Sequence, residues 1–527
     1  MANKNILLVE PGYKNKYPPL GLMKIAAYHG PYGKRDNVKF IKGELDRSVV
    51  LTNWDRIYVT TLFSFEWREI SKAIDFAIEA AQGNTTKVFV GGIAASLMHD
   101  QFLLERRWLG VRFIKGLLSG PPANSLQLDD FDGELYSNDI GGVPIEDLVP
   151  DYDILRQIAY KYPVHDAYFT YASRGCVRKC HFCGVPKLEG AQRDASPISQ
   201  VVRGIEERHG AKKDLLLMDN NVVASPNYRN IIAEIRDLGF ERGAKIKRSD
   251  MRVAALRRVD FNQGVDARIL CRDKMFLTEM STIAIKPLRI AFDHIGARKP
   301  YETAIRFAYE VGLHDLSNYM LYNFHDSPDD LYERMRLNID LNEQLGIRIF
   351  SFPMRYQPTD MKDRSHVGEK WSKYELRSMQ IILQATHGIV SGSPDFFKRA
   401  FGETSRQFRD LLLRPQHVLF NRAWYEEHGG RPEFEEFERL YTALSDTDRS
   451  ELNMILSTYN VRDYRTAVGK AESIRVNEIL PFFASPAKVE LEKIWNSMQA
   501  IQTRNFDATP SIPEDELVED AGLAEVA

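Results

Sequence analysis

Strand-like and helix-like segments alternate along most of the chain, and the spacing of apolar positions predicts where they lie. Near the start of the chain, short apolar runs have the length and composition of buried strands, at residues 5–9, 56–60 and 87–90. Between them, apolar side chains recur at helical spacing over residues 19–29 and 66–81. This alternation predicts a parallel sheet of the doubly wound type.

A second alternating series begins near residue 167 and contains six strand-like segments. They lie at residues 168–173, 214–218, 258–262, 288–292, 318–323 and 348–353. Helical patterns separate these segments, for example at residues 199–209, 231–238 and 329–345. Beyond about residue 360 the pattern becomes mainly helical, with helices predicted over residues 373–386, 394–401 and 434–444. The fold class predicted for the whole chain is therefore α/β.

These patterns divide the chain into five predicted regions. They are an N-terminal doubly wound domain (1–115), a connector rich in Gly, Pro and Asp (116–165), a region of six strand–helix units (166–358), a mainly helical C-terminal domain (359–507) and an acidic tail (508–527). The tail has few large apolar side chains, so it is expected to be disordered.

Composition narrows the class of protein but not its partner. The 527 residues are enough for several domains, and the formal net charge of −3 provides no general attraction to nucleic acid or anionic lipid. The apolar run before Glu10 is too short for a signal-peptide core or a membrane span. We therefore expect a multidomain cytoplasmic protein, and partners have to be inferred from local features.

Three of the four cysteines lie within eight residues, and their spacing is the strongest chemical signal in the chain. Cys176, Cys180 and Cys183 form a C-x3-C-x2-C motif. Three thiolates on one loop can bind three irons of a [4Fe-4S] cluster, which leaves the fourth iron open to another ligand. The remaining cysteine, Cys271, is expected to be a free thiol and cannot hold a second cluster by itself.

Two alternatives compete with a cluster. In the first, His181 joins the three cysteines as the fourth ligand of a zinc ion, although structural zinc sites usually draw pairs of ligands from separate loops. In the second, the cysteines are buried thiols that pack as small apolar groups. The second alternative does not explain why the cysteines cluster beside the basic residues Arg174, Arg178 and Lys179.

The motif resembles that of the radical S-adenosylmethionine enzymes, including Phe182 before the last cysteine and Gly184 after it. The resemblance implies a partial (β/α)6 barrel of the TIM-barrel type over residues 166–358, with the cysteine loop after its first strand. It also implies a cluster that binds S-adenosylmethionine and cleaves it reductively to a 5′-deoxyadenosyl radical. A flavodoxin- or ferredoxin-like protein would donate the electron, and Phe182 would pack near the adenine.

The N-terminal domain is similar to the cobalamin-binding domain of one branch of this family. The likeness rests on the segment Pro18-Pro-Leu-Gly-Leu22 and on Gly91-Gly92. The D-x-H-x-x-G signature, whose histidine ligates cobalt, is missing, and neither His29 nor His99 has its flanking residues. Cobalamin without a histidine ligand and a relic domain without a corrin both remain open, and so do methyl transfer and hydrogen abstraction.

The chemistry of parallel α/β barrels lies at the carboxyl ends of the strands, so polar residues at those positions are further candidates. The cofactor-binding residues predicted in this way are Asp219, Asn220, Gln263, Arg268, Asp293 and Met354. The family commonly binds the methionine amino group after the second strand, where Asp219 and Asn220 lie. Arg268 suits a carboxylate because its planar group pairs bidentately. Alternatively, Asp219 and Asp293 cap helices or turns.

Two other classes of function stay open at this point. One is a non-catalytic binding module in which zinc or an iron–sulfur cluster acts as a staple. The other is a nucleic-acid-binding protein that uses the basic stretch at residues 242–258. A solvated face is the favoured interpretation of that stretch, because no aromatic residues interleave to stack on bases.

Overall fold

The computed structural model describes residues 3–43, 47–119, 144–421, 432–459 and 467–484. The chain divides into two compact units, and each is described by itself. Unit 1 comprises Met1–Ala291, Lys299–Asn318 and Tyr356–His366, and unit 2 comprises Phe292–Arg298, Tyr319–Arg355 and Val367–Ala527. The predicted acidic tail and residues 120–143 of the predicted connector lie outside the described residues. None of the described helices is long and apolar enough to cross a membrane.

The N-terminal part of unit 1 is a five-stranded parallel sheet of order β2-β1-β3-β4-β5. Its strands are β1 (Asn5–Glu10), β2 (Asn37–Lys42), β3 (Arg56–Thr61), β4 (Val88–Gly92) and β5 (Arg112–Phe113). Its helices are α1 (Leu20–His29), α2 (Arg47–Val50), α3 (Trp67–Ala80), α4 (Ile93–Leu97) and α5 (His99–Leu103). The predicted parallel sheet is confirmed, together with its three predicted strands.

An apolar core holds this sheet to its helices. Leu7, Ile57 and Val88 are fully buried on the strands, and Ile70 and Ile74 of α3 are fully buried in the same core. Helix α3 alternates these positions with polar ones, as a helix on the face of a sheet requires. The carboxyl ends of the five parallel strands consequently share one edge, where loops are free to carry function.

The next part of the chain contains six principal strands in two three-stranded sheets, of order β12-β9-β6 and β13-β14-β15. They are β6 (Ala167–Thr170), β9 (Asp214–Leu217), β12 (Val259–Phe261), β13 (Leu288–Arg289), β14 (Asp315–Tyr322) and β15 (Arg348–Arg355). The pairings β6–β9, β9–β12 and β13–β14 are parallel. The six predicted strands are therefore present, and the boundary between the two units falls within β14.

Short strands and helices connect the principal strands. The short strands are β7 (Ser173–Arg174), β8 (Arg193–Asp194), β10 (Lys245–Ile246) and β11 (Ala255–Leu256). The helices are α6 (Val185–Leu188), α7 (Ile198–His209), α8 (Tyr228–Asp237), α9 (Ala267–Leu270), α10 (Met275–Met280), α11 (Arg298–Glu310) and α12 (Pro328–Leu345). The helices predicted over residues 199–209, 231–238 and 329–345 correspond to α7, α8 and α12.

The rest of unit 2 is helical in its described residues. Its helices are α13 (Lys373–Ala385), α14 (Pro394–Phe401), α15 (Ser405–Leu412), α16 (Gln416–Phe420), α17 (Pro432–Thr442), α18 (Asp446–Thr458) and α19 (Ile474–Ile479). Capping boxes at Ser327 and Ser372 fix the starts of α12 and α13. Leu452 and Ile479 are fully buried in an apolar cluster of this region. The three helices predicted here are confirmed.

Candidate functional site

The cysteine loop follows the first strand of the six-strand region, at its carboxyl end. The loop runs from β7 to α6, and Cys176, Cys180 and Cys183 are partly exposed and form no disulfide. Its start requires a glycine, because Gly175 has φ of +75° and a Cβ there would lie 2.3 Å from the carbonyl oxygen of Ala191. The backbone geometry therefore sets where Cys176 emerges.

A buried carboxylate closes the loop. Glu189, six residues after the last cysteine, accepts hydrogen bonds from the Gly175 backbone nitrogen at 2.7 Å and from Asn220 Nδ2 at 2.9 Å. Its other oxygen lies 3.4 Å from the Arg174 guanidinium, which also pairs with Glu146 at 3.0 Å. The two ends of the cysteine loop are thus tied to each other and to the loop after β9.

Backbone amides already point at two of the three sulfurs. Arg178 N donates to Cys176 Sγ, and Val185 N donates to Cys183 Sγ, both at 3.4 Å. Hydrogen bonds to thiolate sulfurs stabilise negative charge and help to set the reduction potential of iron–sulfur clusters. Two of the sulfurs therefore accept backbone hydrogen bonds, which counts against the packing alternative.

The positions of the sulfurs also bear on the zinc alternative. Within the described ranges, the one group of three ligand atoms from His, Cys, Asp or Glu that all lie within 4.8 Å of one another is Asp151, Asp153 and His209, not the cysteines. A single zinc ion with Zn–S bonds of about 2.3 Å needs its sulfurs close together. A cubane places its irons at separate corners, so three spread thiols suit it better.

Positive charge lies beside Cys180. Hydrogen bonds to Asp266, together with a smaller effect of the Cys180 thiol, raise the pKa of Arg268. Asp266 binds Arg268 at 2.8 and 3.1 Å and Arg178 at 2.7 Å. Burial by itself raises the pKa of Asp266, but hydrogen bonds from the two arginines outweigh it and hold that pKa below its usual value. Asp266 therefore stays ionised and positions both arginines.

The two polar residues after β9 are engaged within the fold. Asp219 is 1% exposed and accepts hydrogen bonds from Ala172 N at 2.9 Å, Ser173 N at 2.5 Å and Ser173 Oγ at 2.7 Å. Burial raises the pKa of Asp219 to about 6. Asn220 donates to Glu189. Both residues lie at the predicted strand end and support the segment that leads into the cysteine loop.

The other predicted cofactor residues are placed differently. Phe182 is half-buried within the cysteine loop, and Gln263 is exposed after β12. Asp293 and Met354 belong to unit 2, where Met354 is 41% exposed and Asp293 acts electrostatically on the buried Arg334. A role of any of these residues in cofactor binding stays a prediction.

The cysteine loop contacts the N-terminal domain at a point of close packing. Helix α4 packs against α6, and a Cβ on Gly184 would lie 2.8 Å from Leu97 Cδ1. A second contact is made by Tyr17, whose hydroxyl donates to Asn262 Oδ1 at 2.5 Å. Because α4 follows β4, the carboxyl edge of the N-terminal sheet lies next to the cysteine loop.

Neither N-terminal histidine is directed to that edge as a cobalt ligand. His29 is buried and hydrogen-bonds to Asp36 and Tyr58, and His99 Nε2 lies 3.1 Å from the carbonyl oxygen of Phe113. The edge instead exposes apolar side chains, with Phe63 36% and Ile93 41% exposed.

Two residues of this region, Glu189 and Tyr17, were not predicted, and Asp266, one of the polar residues expected near the strand ends, positions the two arginines. Glu189 directly follows the short helix α6, and no sequence spacing links it to Gly175. Asp266 carried a local signal, since an Asp two residues before Arg268 is typical of a helix N-cap, which it forms. Tyr17 and Asn262 are separated by 245 residues, so only the fold reveals their contact.

Solved structures similar to this chain include radical S-adenosylmethionine enzymes, at 13–14% sequence identity. No protein-family model and no curated protein matches the chain. Among solved structures, it is similar to the radical S-adenosylmethionine methyltransferase TsrM from Kitasatospora setae with cobalamin and a [4Fe-4S] cluster bound, at 14% identity over 68% of this chain and 78% of that one, with a TM-score of 0.45. It is also similar to the cobalamin-dependent S-adenosylmethionine radical enzyme OxsB, at 13% identity over 100% and 84% of the two chains, with a TM-score of 0.47.

Proposed function

We propose that this chain is a radical S-adenosylmethionine enzyme, with Cys176, Cys180 and Cys183 as the ligands of a [4Fe-4S] cluster. The observation that carries the proposal is the loop itself, in which three partly exposed thiols lie at the carboxyl end of a strand and two of them accept backbone hydrogen bonds. In this proposal the six strands form a partial (β/α)6 barrel whose mouth holds the site.

When bound, such a cluster supplies the electron that cleaves S-adenosylmethionine to methionine and a 5′-deoxyadenosyl radical. The chain contributes binding and orientation. Glu189 fixes the start of the cysteine loop, and the N–H groups of Arg178 and Val185 stabilise negative charge on two sulfurs. Arg268, held by Asp266, places a cation beside Cys180, where it would also attract a substrate carboxylate.

A corrinoid would bind at the carboxyl edge of the N-terminal sheet. The exposed Phe63 and Ile93 provide an apolar face there, and the contact between Leu97 and Gly184 places this edge beside the cysteine loop. His29 and His99 are occupied by other partners, so cobalamin would be held without a histidine ligand. When bound, cobalamin supplies a methyl carrier, and the reaction would be methyl transfer; otherwise hydrogen abstraction is proposed.

The nucleic-acid alternative loses its main support from the contacts of the basic stretch. Arg248 forms a bidentate pair with Asp166 at 2.8 Å, and Arg257 lies 3.6 Å from the centre of the Phe240 ring. Arg242 donates to the carbonyl oxygen of Gly312. These arginines hold the fold together rather than forming a free basic face. The proposed macromolecular partner is instead a flavodoxin- or ferredoxin-like electron donor.

The proposal is tested by anaerobic reconstitution with iron and sulfide, followed by dithionite and S-adenosylmethionine. 5′-Deoxyadenosine is then measured by mass spectrometry, with cobalamin present or absent. We expect product from the native chain and from Cys271→Ala, the matched control, and none from Cys180→Ala. Retention of cobalamin through gel filtration would select methyl transfer.

Zinc binding at the cysteine loop would contradict the proposal. If the chain takes up zinc in place of iron, and Cys180→Ala releases that zinc, the cysteine loop is a structural staple in a non-catalytic module. A brown, cluster-loaded chain with S-adenosylmethionine bound, as detected by a change in the cluster's electron paramagnetic resonance spectrum, supports the enzyme even before its substrate is known.

A further inference from the structure

A second cluster of ligand-type side chains lies away from the cysteine loop. Asp151 and Asp153 belong to the segment that joins the N-terminal domain to the six-strand region, and His209 is the last residue of α7. The Asp151 backbone nitrogen donates to the carbonyl oxygen of Met23 in α1. Since α7 precedes β9, His209 lies toward the amino end of that strand, whereas the cysteines follow the carboxyl end of its neighbour β6.

The distances in this cluster are long for direct contacts and suit a shared ion. His209 Nδ1 lies 3.5 Å from Asp153 Oδ2, and Nε2 lies 4.0 Å from Asp151 Oδ1. One ligand atom from each residue can be chosen so that all three lie within 4.8 Å of one another. Metal bonds of about 2.0–2.2 Å to nitrogen and oxygen place neighbouring donors at similar separations.

The imidazole of His209 is buried without a hydrogen-bond partner. Its side chain is 1% exposed, and neither ring nitrogen makes a hydrogen bond. The rings of Tyr32 and Tyr152 flank it, with centroids 5.6 and 5.5 Å away. A buried polar group normally has a partner, because an unsatisfied one costs about 1–3 kcal/mol in free energy. The ring therefore points to a ligand between it and the carboxylates.

The donor set fits a divalent cation. An imidazole nitrogen and two carboxylate oxygens are ligands that such ions bind, and the two carboxylates supply the negative charge that the ion needs. Asp151 is 5% exposed at its side chain and Asp153 is 46% exposed, so the cluster opens to solvent on one side.

We propose that Asp151, Asp153 and His209 bind one divalent transition-metal ion of borderline softness, with Zn²⁺ as the best match to one imidazole nitrogen and two carboxylate oxygens. A water molecule would complete the coordination on the open side of Asp153. The ion would tie the connecting segment to the end of α7, and through Asp151 to α1. Its role is structural, and it is separate from the chemistry of the cysteine loop.

The test measures Zn²⁺ binding by the full-length chain after the three cysteines of the loop have been replaced. In a Cys176→Ala, Cys180→Ala, Cys183→Ala background, Zn²⁺ alone is titrated against a chromophoric chelator. We expect one ion per chain, and a loss of affinity of at least about tenfold in both His209→Gln and Asp153→Asn. The half-exposed Asp153 makes its variant the safer of the two for folding.

Asp100→Asn in the same background is the matched control. Asp100 also lies beside a histidine, 3.7 Å from His99 Nδ1, but without a second carboxylate, so its variant should bind Zn²⁺ as the background does. Metal analysis of the cluster-loaded native chain should show zinc in addition to iron. The proposal is overturned if the background chain binds no Zn²⁺ in competition with the chelator, or if Asp153→Asn and Asp100→Asn bind it equally.

Discussion

Glu189 is the residue whose removal should most directly loosen the cysteine loop. In Glu189→Ala, the buried Gly175 N–H loses its acceptor at 2.7 Å, which costs about 1–3 kcal/mol. The Asn220 amide loses its bond at 2.9 Å, for about 1 kcal/mol more. Arg174 keeps Glu146 at 3.0 Å, so its loss is smaller. The sum is about 3 kcal/mol, which corresponds to a roughly 100-fold rise in loop opening.

Amide hydrogen exchange on the peptide that contains Gly175 measures this opening directly. The experiment is run on the cluster-free chain, so that only protein contacts protect the amide. Glu189→Gln keeps an acceptor for Gly175 but loses the charge, and we expect about a tenfold increase in exchange. Glu207→Ala, on the exposed face of α7, should leave exchange unchanged.

The ranking of these variants is what tests the reasoning. If Glu189→Ala exchanges at the same rate as Glu207→Ala, the carboxylate does not hold the loop, and the account of loop closure is wrong. Because Gly175 immediately precedes Cys176, iron retention after reconstitution should fall in the same order, with Ala below Gln and Gln below the native chain.

Three further predictions follow from buried contacts. Asp219 has a pKa of about 6 in the folded chain, against an ordinary value of 3.8. The folded chain therefore binds this proton more tightly, and the free energy of unfolding should fall by about 3 kcal/mol as the pH rises through that interval. Denaturant midpoints measured across this pH range should decline less in Asp219→Asn. Gly184→Ala should cost about 1–3 kcal/mol through its contact with Leu97, and a double-mutant cycle with Leu97→Ala should recover part of it. Asp260→Ala leaves the 2%-exposed Arg289 without its bidentate partner at 2.9 Å, and should cost about 3–5 kcal/mol in chemical denaturation, unlike the exposed Asp100→Asn.

The longer strands were predictable because their apolar runs stand out, and two of the differences between prediction and structure have a common physical cause. Strand β2 was not predicted, and β1 was predicted to end at Val9 rather than Glu10. In the structure Lys42, at the end of β2, and Glu10 pair at 3.1 Å with side chains 4% and 1% exposed. In a sequence, a charged residue indicates the end of an apolar strand. Here the two charged side chains pair with each other and are buried at the ends of neighbouring strands.

At the candidate site, residues that are close in the sequence were predictable, whereas contacts that depend on the fold were not. The cysteines were predictable because all their ligand atoms lie within eight residues. The polar residues at the strand ends were not separable by sequence, since an aspartate that binds a ligand and one that binds backbone look the same. Asp219 already accepts three hydrogen bonds from residues 172 and 173, and its capacity to bind a ligand is largely used. Gln263 is exposed and Arg268 is only partly covered by Asp266, so substitutions at these two positions should affect S-adenosylmethionine binding more than Asp219→Asn does.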